Sequence, residues 1–196
     1  MKKLRGLYAI TPEGPDLEAK VRDALEGGVA LLQYRRKHGD STEAARIGAL
    51  AREFGVPMIV NDDVALALAL DAAGAHLGRE DGDLRPARAR LRGRMLGASC
   101  YNDLERARVA VAAGVDYVAF GSVFPSPTKP QAARAPLELF RQAKPLGAPL
   151  AAIGGITLDN AAALIAAGAD LIAVISDLFD APDIRVRARQ YRKLFS

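Results

Sequence analysis

The stretch VFPSPTKP, Val123 to Pro130, sets two hydroxyls, Ser126 and Thr128, and one cation, Lys129, in a loop stiffened by three prolines. Hydroxyls and an ammonium are donors for phosphate oxygens, and proline lowers the entropy lost when such a loop is ordered. The plainer reading is a rigid surface loop with an incidental lysine. In LLQYRRK, Gln33, Arg35 and Lys37 alternate and therefore share one face of an extended segment, which aims two cations in one direction. The plainer reading leaves both cations solvated on a rim. Asn61-Asp62-Asp63 and Arg79-Glu80-Asp81 offer carboxylates at the ends of two neighbouring apolar runs. One of the paired aspartates suits a helix N-cap. Two carboxylates brought together suit Mg²⁺, which completes its shell with water and phosphate oxygens. Gly154-Gly155, followed by Thr157 and a helix start near Asp159, can bring backbone amides close to an anion or simply make a tight turn.

What is missing narrows the chemistry. His38 and His76 are the only histidines, and His76 reads equally as a packed, hydrogen-bonded imidazole or as a catalyst. Cys100 is the single cysteine, with no general base beside it in the sequence, and reads as a small thiol at the edge of the core. There is no HExxH, GxSxG or Walker-type loop. Cations, hydroxyls, amides and carboxylates without an obvious acid–base pair suit a phosphorylated substrate from which a phosphate departs.

The elements that must position these groups show as a repeat. Ala73-Gly74-Ala75, Ala113-Gly114-Val115 and Ala167-Gly168-Ala169 each close an alanine- and leucine-rich stretch and open an apolar run, with Gly27-Gly28-Val29 a variant. Glycine takes the left-handed conformation that stops a helix. Phe54-Gly55-Val56-Pro57 and Leu146-Gly147-Ala148-Pro149 stop helices with proline instead. The spacing predicts strands over Arg5–Thr11, Ala30–Arg36, Pro57–Asn61, Ala75–Leu77, Met95–Ser99, Tyr117–Gly121, Pro149–Ile153 and Asp170–Ile175. Helices are expected over Leu17–Glu26, Thr42–Phe54, Val64–Ala73, Leu104–Ala113 and Leu158–Ala167, with Asp16, Ser41, Asp103 and Asp159 as N-caps. Several strands are continuous apolar runs, as in sheets covered on both faces. Eight strand–helix units imply an α/β protein, a single-domain (β/α)₈ TIM barrel over residues 1–196, with a doubly wound open sheet as the alternative. In that architecture, the loops after the seventh and eighth strands recurrently bind phosphate, which draws Ile175-Ser176 into the site.

The 196 residues are half hydrophobic and about a quarter charged, ordinary for one soluble domain. No apolar run approaches a membrane span, and the short apolar stretch ended by Pro12 is no signal peptide, so a cytoplasmic location is expected. The net charge of +4 raises nucleic-acid binding. However, the arginines of Arg85–Arg94 and Arg185–Lys193 fall on opposite sides of an eightfold ring and make no single stripe, so neither nucleic acid nor membrane is an expected partner. A homo-oligomer is compatible with the sequence.

LQYRRK, VNDDVALALALDAAGAHLGRED, LGAS, FGSVFPSPTKP, AIGGIT and AVIS, in this order and over most of the chain, resemble the thiamine phosphate synthase family. The resemblance implies a transferase that joins 4-amino-2-methyl-5-hydroxymethylpyrimidine diphosphate to 4-methyl-5-(2-phosphoethyl)thiazole and releases thiamine phosphate and diphosphate. It places the pyrimidine diphosphate on Gln33, Arg35, Lys37, Asn61 and Lys129, with Ser99 in the same pocket, and Mg²⁺ on Asp62 and Asp81. It places the thiazole phosphate on Ser126, Thr128, Gly155, Ile175 and Ser176. Arg35, Lys37, Lys129 and Ser99 are the residues it implies in catalysis. The departures from the family pattern are Ser126 for a common Thr, Arg36 for a frequent acid, Arg79 for Gln and Asp63 for Arg; the last two read as a charge exchange. The alternatives are a thiazole tautomerase of the same fold, whose histidine after the fifth strand is replaced here by Cys100-Tyr101, and a non-catalytic phosphate-ligand sensor.

Overall fold

A computed structural model describes residues 4–36, 40–125 and 134–196. Eight parallel strands close into a barrel in chain order, β1 (Gly6–Ile10), β2 (Leu31–Tyr34), β3 (Met58–Asn61), β4 (Gly74–Leu77), β5 (Met95–Tyr101), β6 (Tyr117–Gly121), β7 (Leu150–Ile153) and β8 (Leu171–Val174). The pairing of β8 with β1 (Tyr8 opposite Ala173) excludes the open sheet. Around the barrel lie α1 (Leu17–Gly27), α2 (Ser41–Glu53), α3 (Val64–Ala69), α4 (Leu84–Arg90), α5 (Leu104–Ala112), α6 (Leu137–Ala143), α7 (Leu158–Ala167), α8 (Ser176–Phe179) and α9 (Ile184–Lys193). No described helix is long and apolar enough to cross a membrane.

Strand alternation splits the core in two. Leu7, Ala9, Leu32, Tyr34, Val60 and Phe120 face the helices, whereas Tyr8, Ile10, Leu31, Ile59, Tyr117 and Leu171 fill the barrel. Each buried large side chain contributes about 1.5–3 kcal/mol. Where the barrel narrows, glycine makes room. A Cβ on Gly97 would overlap the Tyr117 ring, and one on Gly74 would strike the Met95 carbonyl.

The helix stops lie where expected, with Gly28 and Gly168 left-handed at the ends of α1 and α7. The caps differ in part. Asp103 accepts from Arg106 N–H at 3.0 Å as expected. Asp40, not Ser41, caps α2, accepting from Glu43 N–H at 2.6 Å, because Asp40 holds the extended backbone that a cap requires. Asp16 precedes α1 but is left-handed and makes no side-chain cap. Asp159 lies inside the first turn of α7, after Thr157. α3 ends at Ala69, four residues short of the expected limit, because Asp71 turns left-handed.

Two aspartates of the glycine repeat peg the lower rim. Asp116 accepts from Leu96 N–H at 2.7 Å and from Arg88 at 2.8 Å. Asp170 accepts from Leu150 N–H at 3.1 Å and from Lys144 at 3.0 Å. Each ties the start of its own strand to the start of a neighbour and to a helix. On α9, Arg185 pairs with Asp23 and Glu26, and Arg187 with Asp177.

Candidate active site

The upper ends of the strands surround one cavity of about 950 Å³. Gln33, Arg35, Asn61, Asp62, Asp81, Ser99, Gly155, Ile175 and Ser176 all border it. Lys37, Ser126, Thr128 and Lys129 lie outside the described residues.

On the β2 side, Gln33 and Arg35 face the cavity while Tyr34 between them turns outward to the helices. Thr11 pins the rim here, since its hydroxyl accepts from Arg35 N–H at 2.8 Å and donates to Arg35 O at 3.0 Å. Arg36 points away from the cavity. Its guanidinium donates to the carbonyls of Pro12 at 3.2 Å and Gly14 at 2.9 Å and pairs with Glu43 at 3.1 Å, clamping the loop after β1 to α2.

Asp62 and Asp63 divide their work. Asp63 accepts from Leu66 N–H at 2.8 Å and caps α3. Asp62 is left-handed (φ 63°), with its N–H on His76 O at 2.8 Å, and this turn carries its side chain to the cavity. Asn61 donates to its carboxyl. Asp81 stands opposite, held by Gly78 N–H at 2.7 Å. Partial burial and the facing Asp81 carboxyl push Asp62 up to about 6, against the attraction of Arg35. Two carboxylates so close are under-compensated, and a divalent cation would relieve them. No group of three or more His, Cys, Asp or Glu side chains gathers among the described residues. Two facing carboxylates are a donor set that fits Mg²⁺, which completes its shell with phosphate and water oxygens. Arg79 lies over the Tyr101 ring at 5.1 Å, so Arg79 and Asp63 each have a partner of their own.

The β6–β8 side brings backbone close. Gly155 has φ 63°, and a Cβ there would meet Phe124 O at 2.8 Å; one on Gly154 would meet Ser122 Cα at 2.8 Å. The pair thus lets the segment after β6 pack directly on the β7–α7 turn, sealed by Val123 N–H to Ile153 O and Phe124 N–H to Gly154 O, both 3.0 Å. Pro125, the last described residue before Ser126, borders the cavity. Arg187 and Asp177, which no motif points to, also border it. They pair at 2.6 Å, and Tyr191 donates to Asp177 at 2.7 Å. Arg187 lies on α9 rather than at a strand end, so no local pattern marked it.

At the floor, His76 bonds Tyr117 Oη through Nδ1 and Ser99 Oγ through Nε2, both at 2.8 Å. Burial pushes the imidazole down to about 4, with Asp81 opposing, so it is neutral at pH 7. It is the packed imidazole of the two readings. Burial likewise pushes the Cys100 thiol up to about 12, which fits the inert reading.

Residues 7–178 match the sequence profile of the family described as Thiamine monophosphate synthase. The chain is 62% identical to the thiamine-phosphate synthase of Aromatoleum aromaticum, over 98% of this chain and 97% of that one. It is 54% identical to that of Methylobacillus flagellatus, over 98% and 96%. It superposes on the structure of thiamine phosphate pyrophosphorylase from Pyrococcus furiosus with a TM-score of 0.89, at 37% identity over 98% and 96% of the two chains. A likeness to 3-hexulose-6-phosphate synthase, TM-score 0.75 at 14% identity, extends to the fold alone. With a profile that spans most of its length, relatives this similar and a closed barrel that superposes on theirs, the chain belongs to the thiamine monophosphate synthase family.

Proposed function

We propose that this chain is a thiamine phosphate synthase, working in the cytoplasm on a pyrimidine diphosphate and a thiazole phosphate. The observation that carries the reading is the convergence of Arg35, Asn61, Asp62, Asp81, Ser99 and Gly155 on one cavity. A lone, buried cysteine is in keeping with a reducing compartment.

Arg35, with Lys37 and Lys129 at the matching family positions, faces the diphosphate and stabilises the negative charge that grows as the C–O bond breaks. The electron pair leaves with diphosphate, the aminopyrimidine ring delocalises the methylene cation, and the thiazole nitrogen captures it. Asp62 and Asp81 would hold Mg²⁺, which when bound supplies electrophilic stabilisation of the leaving group. Gly155, Ile175 and Ser176, with Ser126 and Thr128, hold the thiazole phosphate in line. Neutral His76 carries no second proton to give up as an acid, in keeping with a reaction that needs none.

The test is to mix the two substrates with the protein and Mg²⁺ and assay for thiamine phosphate. Product is expected, and chelator abolishes it. Lys129→Ala should cut turnover by orders of magnitude, on the scale of removing one preorganised donor, ~10²–10³-fold. A protein that binds both ligands without forming product would be a sensor instead.

A further inference from the structure

Five strands contribute to one chain of hydrogen bonds across the floor of the cavity. Gln33 Nε2 donates to Tyr8 Oη at 2.5 Å. Tyr8 Oη meets Tyr117 Oη at 2.8 Å, Tyr117 Oη meets His76 Nδ1 at 2.8 Å, and His76 Nε2 meets Ser99 Oγ at 2.8 Å. Gln33, Tyr8, His76 and Ser99 border the cavity, while Tyr117 is 0% exposed.

The hydrogens can be counted. Each tyrosine hydroxyl has one, and a neutral imidazole has one on nitrogen. Since Gln33 donates to Tyr8, the Tyr8 hydrogen is used by turning to Tyr117. The Tyr117 hydrogen then turns to His76 Nδ1. That leaves the imidazole hydrogen on Nε2, donating to Ser99. Every internal member accepts once and donates once. If Tyr117 donated to Tyr8 instead, the Tyr8 hydrogen would be left over in a residue 1% exposed. Buried networks of this kind persist when every member is satisfied.

We propose that Tyr8, Tyr117 and His76 are positioning residues, a one-way relay that fixes Gln33 as an acceptor and Ser99 as a donor toward the bound substrate. Gln33 turns its amide nitrogen inward, spending one of its two hydrogens on Tyr8, and this orientation sends its carbonyl oxygen the other way, toward the cavity. Ser99, only half-buried, receives from His76 and turns its own hydrogen to the cavity. An aminopyrimidine offers N–H donors on its exocyclic amine and bare ring nitrogens as acceptors. A 4-oxo counterpart reverses that order, with a carbonyl acceptor and a ring N–H. The relay therefore selects amino over oxo pyrimidines. This consequence rests on the synthase reading, whereas the direction of the relay does not.

The experiment has two arms. The first is the ¹⁵N spectrum of histidine-labelled protein without substrate, at pH 7. The chain has two histidines, and His38→Gln leaves His76 alone in the spectrum. The expected result is a hydrogen fixed on Nε2 with Nδ1 bare. A hydrogen on Nδ1, or exchange between both nitrogens, overturns the proposal. The second arm is Tyr117→Phe, which keeps the ring and breaks the relay. KM for the pyrimidine diphosphate should rise about tenfold with kcat within about twofold, and the preference over the 4-oxo analogue should fall about tenfold. A fall in kcat alone, at unchanged KM and preference, means that Tyr117 serves only the fold and also overturns the proposal. A wild-type protein with the expected spectrum but no thiamine phosphate product would sink the synthase reading and leave the relay standing.

Discussion

Asp62 and Asp63 are adjacent carboxylates with different tasks, one in the cavity facing Asp81 and one capping a helix. Asp63→Ala should cost about 1 kcal/mol in urea unfolding, as lost caps do, with kcat unchanged. Asp62→Asn should abolish Mg²⁺-dependent turnover while the protein stays folded; full activity in that variant would remove the carboxylate from the site. His76 supplies a pH prediction. Its folded value of about 4 lies below the ordinary 6.5, so under pH 6.5 the unfolded chain takes up a proton that the folded chain refuses. The stability this group contributes is thus present above pH 6.5 and lost as pH falls toward 4, by up to about 3 kcal/mol. Asp62, raised rather than lowered, works in the opposite sense, but it is common to both proteins when wild type is compared with His76→Gln. The urea midpoint of wild type should therefore fall more steeply than that of the variant between about pH 7 and pH 4.5; parallel profiles would refute the assigned burial. The alternation of Gln33 and Arg35 made their shared direction legible. The partners of Arg36 lie in a different loop and helix, and nothing local announces them.

At the scale of elements, Asp116 and Asp170 occupy equivalent places in two copies of the glycine repeat. Each carboxylate accepts an N–H at the start of the neighbouring strand and pairs with a cation in or at the end of a helix. Asp170→Ala would strand a buried backbone N–H and remove the partner of Lys144, at an expected cost of about 2–4 kcal/mol in chemical denaturation. Turnover at saturating substrate should survive, because the peg lies at the end of the barrel opposite the cavity. A loss below about 0.5 kcal/mol would show that water replaces the carboxylate without penalty. The sequence revealed the repeat through its glycines and alanines. It did not reveal what the aspartates do, because the N–H groups they hold belong to strands about twenty residues earlier.

The whole molecule is a ring, and its seam lies where β8 meets β1 and α9 packs on α1. Gly27 permits that packing, since a Cβ there would collide with Ala188 and the Arg185 carbonyl. Arg5 reaches Phe195 O at 3.0 Å, so the two ends of the described barrel lie side by side. Joining them by a short flexible linker and reopening the chain at Gly147 should give a folded, active protein. Gly147 is left-handed, has open space around it and precedes β7 on the face away from the cavity. Reopening between Asp62 and Asp63 should abolish turnover, since it cuts the turn that presents the carboxylate. Equal activity from both permutants would mean that the upper loops need no continuous backbone.

The sequence by itself determined the eight alternating units, the stops between them, and the types of group carried to the strand ends. These follow from short-range rules, namely side-chain alternation along a strand, glycine beyond a helix and apolar runs in covered sheets. Only the tertiary structure decided that Asp62 faces Asp81, that Arg187 reaches the cavity, and that Tyr8 meets Tyr117 across 109 positions of chain. Closure of the barrel fixes the register of every strand against its neighbours at once. Contacts across its interior are set by that closure and leave no trace in any local stretch of residues.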